Sequence, residues 1–265
     1  MVILMHPSPG LYAAVLHVFN RAAPRSRSLA STWTDLTQEL TEDQTESLPA
    51  AIKGVLPLLR GDVERMRFAA KIAARFDLYE TADTVAHLAD DTEDRYLLLI
   101  AASLSGNPAV DSSLRARIRQ TVGADPAVLI RLDHHYPPTT SEEKLLYQQC
   151  WPGGPTDPAP FPLPPVVVLD QGFDARSLWR LASRLNKAGA VIKRLAPNSD
   201  LPPWFGPRTV LICEPKTGVR VKSKYPTFPH KQIITKPHLP EHDHQLNGLL
   251  MEVNAQLPDQ NKLPG

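Results

Sequence analysis

The chain has 265 residues, 42% hydrophobic and 22% charged, with a formal net charge of +1. That length and apolar content exclude a disordered or fibrous chain and suffice for one large or two modest cores, of which we expect two. Cys150 and Cys213 have neither metal-ligand spacing nor the pattern of a disulfide framework, which suits a reduced, cytoplasmic protein.

In chain order, Met1 to Met5 is an apolar run too short for a secretory signal, and it meets His6 and Pro7 without a basic leader. No window holds the roughly twenty apolar residues that cross a bilayer, so no membrane partner is expected. From Ser8 to Gln149 helical periodicity alternates with short breaks. It predicts helices near 9–22, 28–40, 46–59, 62–76, 79–90, 92–105, 109–121, 125–134 and 140–149. Ser8 before Pro9, Asp62 after Gly61, Thr92-Glu93-Asp94 and Thr140 to Glu143 supply N-terminal caps. Short links between helices imply antiparallel neighbours, hence a helical domain over 1–150.

Within it, Asp62 to Ala74, Ala82 to Leu88 and Asp91 to Leu104 set Asp and Arg beside alanine-rich helical stretches. Residues 61–121 thereby resemble HEAT-type helical repeats, which implies a short solenoid; an irregular helix bundle is the alternative. Neither is catalytic by default. Residues 151–165 then hold seven prolines and two glycines. Proline lacks the amide donor and fixes φ, so this stretch is neither helix nor inner strand and reads as a semi-rigid linker between domains.

Beyond it, Val166 to Leu169 is a β-branched apolar run that predicts a strand buried on both faces and ending at Asp170. Asp174 can cap the helix that follows, in which Leu178, Leu181, Ala182 and Leu185 share a face, and Gly189 stands at its C-terminus. Ala190 to Ile192, Arg208 to Cys213 and Gln232 to Thr235 read as further strands, and Glu241 to Gln256 as a closing amphipathic helix. A strand, a helix and a strand within about thirty residues make a parallel right-handed crossover the default. The fold class expected is therefore α + α/β: a helical bundle or short HEAT-like solenoid, then a small domain over 166–257 with a mostly parallel sheet, and a tail over 258–265.

This order of elements, with Lys236-Pro237 directly after the last strand, resembles the receiver domain of two-component signalling over residues 165–256. The resemblance implies a degenerate receiver. Strand one contributes Asp170 alone, and the phosphate-accepting position falls on Cys213 or Glu214, so the carboxylates that would hold Mg²⁺ and take up a phosphoryl group are missing. Another α/β family is the alternative.

Charge is unevenly distributed. Residues 171–236 carry 13 basic and 3 acidic side chains. The run from Lys216 to Lys231 interleaves Arg220, Lys222 and Lys224 with Tyr225 and Phe228, a pattern that attracts phosphate and offers rings for stacking on bases. An acidic protein surface is an equal candidate partner. A solvated hairpin with Val219 and Val221 facing inward is the plainer alternative. Trp204 and Phe205, between prolines and a glycine, are candidate partner anchors. His238, Glu241, His242 and His244 form a dense group of potential metal ligands. On a helix, however, side chains two apart point to different sides, and helix capping explains the acids equally well. Cys213 has no neighbouring histidine to activate it, and no phosphate-binding loop or hydrolase elbow is present.

We therefore expect no catalytic residue, metal or cofactor, and an adaptor or regulatory component with a helical platform for one partner and a basic α/β module for a second. Its expected contacts are Trp204, Phe205, Lys216, Arg220, Lys222, Lys224, Tyr225, Phe228, Lys231 and Lys236. A nucleic-acid-binding subunit using the 176–236 cations is the alternative, and a metal-dependent enzyme acting through Asp170 and the histidine group is the third.

Overall fold

A computed structural model describes residues 7–21, 29–38, 40–122, 164–201, 208–227, 229, 232–259 and 262–263. For 29, 30, 119, 121 and 122 it describes the backbone alone. The helices expected over 125–134 and 140–149 and nearly all of the 151–165 stretch lie outside these residues. The chain forms two compact units, Met1–Gly106 with Val110–Phe161, and Asn107–Ala109 with Pro162–Gly265. Together they give the α + α/β architecture that periodicity predicts.

The described part of the first unit is all helical: α1 (Pro9–Arg21), α2 (Leu29–Thr37), α3 (Glu42–Val55), α4 (Val63–Arg75), α5 (Ala82–Thr92), α6 (Arg95–Ser105) and α7 (Ser112–Val122). Helix α3 starts four residues before the expected position because Thr41 builds a capping box: its Oγ1 accepts the Gln44 N–H at 3.4 Å while Gln44 Oε1 accepts the Thr41 N–H at 3.1 Å. The chain then tightens into a 3₁₀ turn at Leu56–Leu59, entered through Pro57. Helix α5 ends at Glu93, whose φ of 53° turns the chain so that Asp94 caps α6, accepting from Tyr96 N–H at 2.9 Å and Leu97 N–H at 3.3 Å. The other oxygen of Asp94 accepts from Arg67 Nε of α4 at 2.6 Å, so one carboxylate both caps α6 and ties it to α4. Trp33 stacks on Phe76 at 3.9 Å in the core, and the Tyr12 ring of α1 occupies the place that a Cβ on Gly54 of α3 would need.

In the second unit four parallel strands, β1 (Val166–Asp170), β2 (Val191–Leu195), β3 (Thr209–Cys213) and β4 (Ile233–Thr235), lie in the order β2-β1-β3-β4. Helix α8 (Ala175–Lys187) links β1 to β2, α9 (Pro215–Lys224) links β3 to β4, and α10 (Asp243–Gln256) follows β4. Asp174 caps α8 through the Ser177 N–H at 2.8 Å, and Gly189, at φ 92°, turns the chain out of it. β1 is buried on both faces, as its composition predicts. β2 runs further than expected, taking in Lys193 and Arg194, which are only 4% and 3% exposed. Arg194 stands 5.0 Å over the Trp179 ring, and its carbonyl accepts from Asn107 Nδ2 at 2.7 Å.

The register fixes the layers. Side chains alternate along a strand, so Val166, Val168 and Asp170 share a face with Leu211, Cys213, Ile233 and Thr235, and Val167 and Leu169 share the other with Arg194, Val210, Ile212 and Ile234. Gly218 of α9 meets Cys213 and Thr235 on the first face, and Trp179 of α8 meets Arg194 on the second. Arg180 and Arg184 of α8 bond Asp243 and Asn247 of α10 at 3.1 and 3.2 Å, so α8 and α10 cover one face while α9 covers the other.

Candidate interaction surface

In a parallel sheet whose order reverses, the loops after the two central strands leave on opposite faces and open a crevice where ligands gather. Here those strands are β1 and β3, and backbone groups take up the acid at that point. Asp170 is 2% exposed; its Oδ1 accepts the Gly172 N–H and its Oδ2 the Glu214 N–H, each at 3.1 Å. The carboxylate therefore staples the two loops. Glu214 lies so close over Gly172 that a Cβ there would sit 2.7 Å from Glu214 Oε2. Burial, helped by the Asp170 charge, pushes the Cys213 thiol up to about 12, which leaves it protonated and a poor nucleophile at neutral pH.

Lys236, directly after β4, donates its N–H to the Cys213 carbonyl at 2.9 Å, while its Nζ pairs with Glu252 of α10 at 2.7 Å. The ammonium is thus engaged by α10. The histidine group is arranged differently from a helical wheel: His242 is the N-cap of α10, outside the wheel, and its ring stacks on that of His244 at 5.8 Å. Beside them a cleft of about 560 Å³ is lined by Lys236, His238, Glu241, Gly248 and Glu252, among others. Among the described residues no group of three or more His, Cys, Asp or Glu is placed to hold a metal ion.

The basic run takes a form that alternation did not suggest. Pro215 at the first helical position starts α9, so residues 216 to 224 are helical and the hairpin alternative does not hold. Val221 and Gly218 face the sheet, whereas Val219, expected inward, is 70% exposed. Lys216, Arg220 and Lys224 follow one another at intervals of four, one above the next along the helix. Lys224 is bound by Asp200, a pairing that raises the proton affinity of Lys224 and lowers that of Asp200. The Tyr225 hydroxyl accepts the Leu201 N–H at 3.2 Å, so this ring is anchored beside the loop that follows β2. Lys216, Arg220 and Lys222 make no salt bridge among the described residues. Trp204, Phe205, Phe228 and Lys231 lie outside those residues.

Among the described residues β4 pairs with β3 alone, so its other edge carries no strand there, which the short run between Gln232 and Lys236 does not reveal by itself. No helix of the described residues is long and apolar enough to cross a membrane. No family model, curated protein or solved structure matches the chain.

Proposed function

We propose that this chain is a non-enzymatic, cytoplasmic adaptor or regulatory component, with a helical unit that holds one protein and an α/β unit that holds a second, acidic one. The observation that carries this reading is the outer side of α9, where Lys216, Arg220 and Lys222, without salt bridges among the described residues, surround the exposed Val219. Cations around an apolar side chain suit a protein surface, which supplies both carboxylates and methyl groups, better than a phosphate backbone. The stapled Asp170 and the protonated Cys213 favour binding over chemistry at the carboxyl ends of the strands.

The test compares the full chain with its Lys216→Glu/Arg220→Glu/Lys222→Glu variant, using a fluorescent glutamate-rich peptide and a single-stranded oligonucleotide of equal charge. The reading expects tighter binding to the peptide and its loss in the variant. Tighter binding to the oligonucleotide, with quenching of tryptophan fluorescence and a steep loss as salt rises, would transfer the assignment to a nucleic-acid-binding subunit.

A further inference from the structure

We infer that the outer edge of β4, which no strand pairs among the described residues, is the docking strand for an extended acidic segment of that partner, an inference that rests on the cationic surface proposed above. In a parallel ladder every second residue turns its N–H and C=O toward one neighbour. The Lys236 N–H donates to the Cys213 carbonyl, and the register pairs Ile234 with Ile212, so Ile234 and Lys236 face β3 and Ile233 and Thr235 face outward. Neither Ile233 nor Thr235 has a further hydrogen bond among the described residues. The edge thus offers two donors and two acceptors to an added strand.

The flanks of this edge select the occupant. On one face Gly218 lies against Thr235 and Ile233, and Lys222 follows it one helical turn further along α9. On the other face the cleft of about 560 Å³ opens beside Lys236, and Gly248 of α10 has nothing within 4 Å of where a Cβ would be. Side chains of an added strand alternate between these faces. Every second one lies on the α9 side, where Lys222 favours a carboxylate, and those between lie on the side of the cleft.

The probe is the acetylated, amidated peptide Glu-Val-Glu-Val-Glu-Val, tested against ¹⁵N-labelled full-length chain. The peptide is expected to slow exchange of the Ile233 and Thr235 amides and leave that of Ile234 unchanged, a readout that needs no variant. Thr235→Pro removes an outward donor that the β3 ladder does not use and should weaken binding about tenfold while circular dichroism stays unchanged. Wild-type affinity in Thr235→Pro, with binding abolished by Lys222→Glu, overturns docking at the edge and leaves the cationic-surface reading standing. Binding that survives the triple charge reversal defeats that reading itself. Self-association of the free chain that Thr235→Pro abolishes would assign the edge to a second copy and overturn the inference.

Discussion

The backbone N–H of Glu214 donates to Asp170 Oδ2 over 3.1 Å, joining the carboxyl ends of β1 and β3 where the sheet order reverses. With the Gly172 N–H on Oδ1, both oxygens of the one acid in β1 serve the backbone. Asp170 thereby ties together the loops that leave β1 and β3.

Asp170→Asn follows directly from this geometry. An amide has one acceptor oxygen, so at least one of the two charge-assisted bonds is lost and an NH₂ group faces a backbone N–H. The substitution should cost about 2 kcal/mol in urea unfolding of the full chain. An unchanged midpoint would show that the carboxylate does not hold the two loops together.

Gly218 tests the packing of α9. A Cβ there would lie 2.5 Å from Thr235 Cγ2 and 3.5 Å from Cys213 Sγ, so Gly218→Ala must lift the helix or push β4 aside. Overpacking of this kind costs about 1–3 kcal/mol, against which alanine returns roughly 1 kcal/mol of helix propensity. A net loss is expected, and Thr235→Ser, which deletes the obstructing methyl, should turn Gly218→Ala from destabilising to neutral or stabilising. Equal effects of Gly218→Ala in both backgrounds would locate the clash elsewhere.

Cys213 supplies a pH prediction. Burial favours its neutral form, with a folded pKa of about 12 against an ordinary value of 9.0. The folded chain therefore retains a proton that the unfolded chain releases above pH 9. The stability this contributes is complete below that value and is lost as pH rises toward 12. In a Cys150→Ser background, a thiol reagent at pH 8 should leave the folded chain unlabelled and label it fully in denaturant. Rapid labelling of folded protein would contradict a buried, protonated thiol.

Local chemistry made much of this chain legible. Val166 to Asp170 reads as a buried strand, Asp174 and Gly189 delimit α8 by their caps, and Asp62 and Asp94 start α4 and α6. Caps and periodicities act within a few residues, so they can be read without knowing what lies across the sheet or between helices. The basic run misled for the complementary reason. Val219 and Val221 alternate as a strand would, yet Gly218 lets α9 sit tightly on Thr235 and Cys213, and that contact becomes available only once β3 and β4 are side by side.

By itself the sequence determined the class of each unit and the positions of most element ends, because those depend on propensity and on hydrogen bonds made nearby. Tertiary structure alone decided which cations meet a carboxylate among the described residues. Lys224 and Lys236 have Asp200 and Glu252 brought beside them, whereas Lys216 and Lys222 make no salt bridge among the described residues. It decided likewise that Asp170 meets the Glu214 N–H just after β3 and that the backbone N–H and C=O groups of Ile233 and Thr235 point away from β3. Side-chain pairing across a fold and the register of a sheet depend on distances between residues far apart in the chain, which no local pattern encodes.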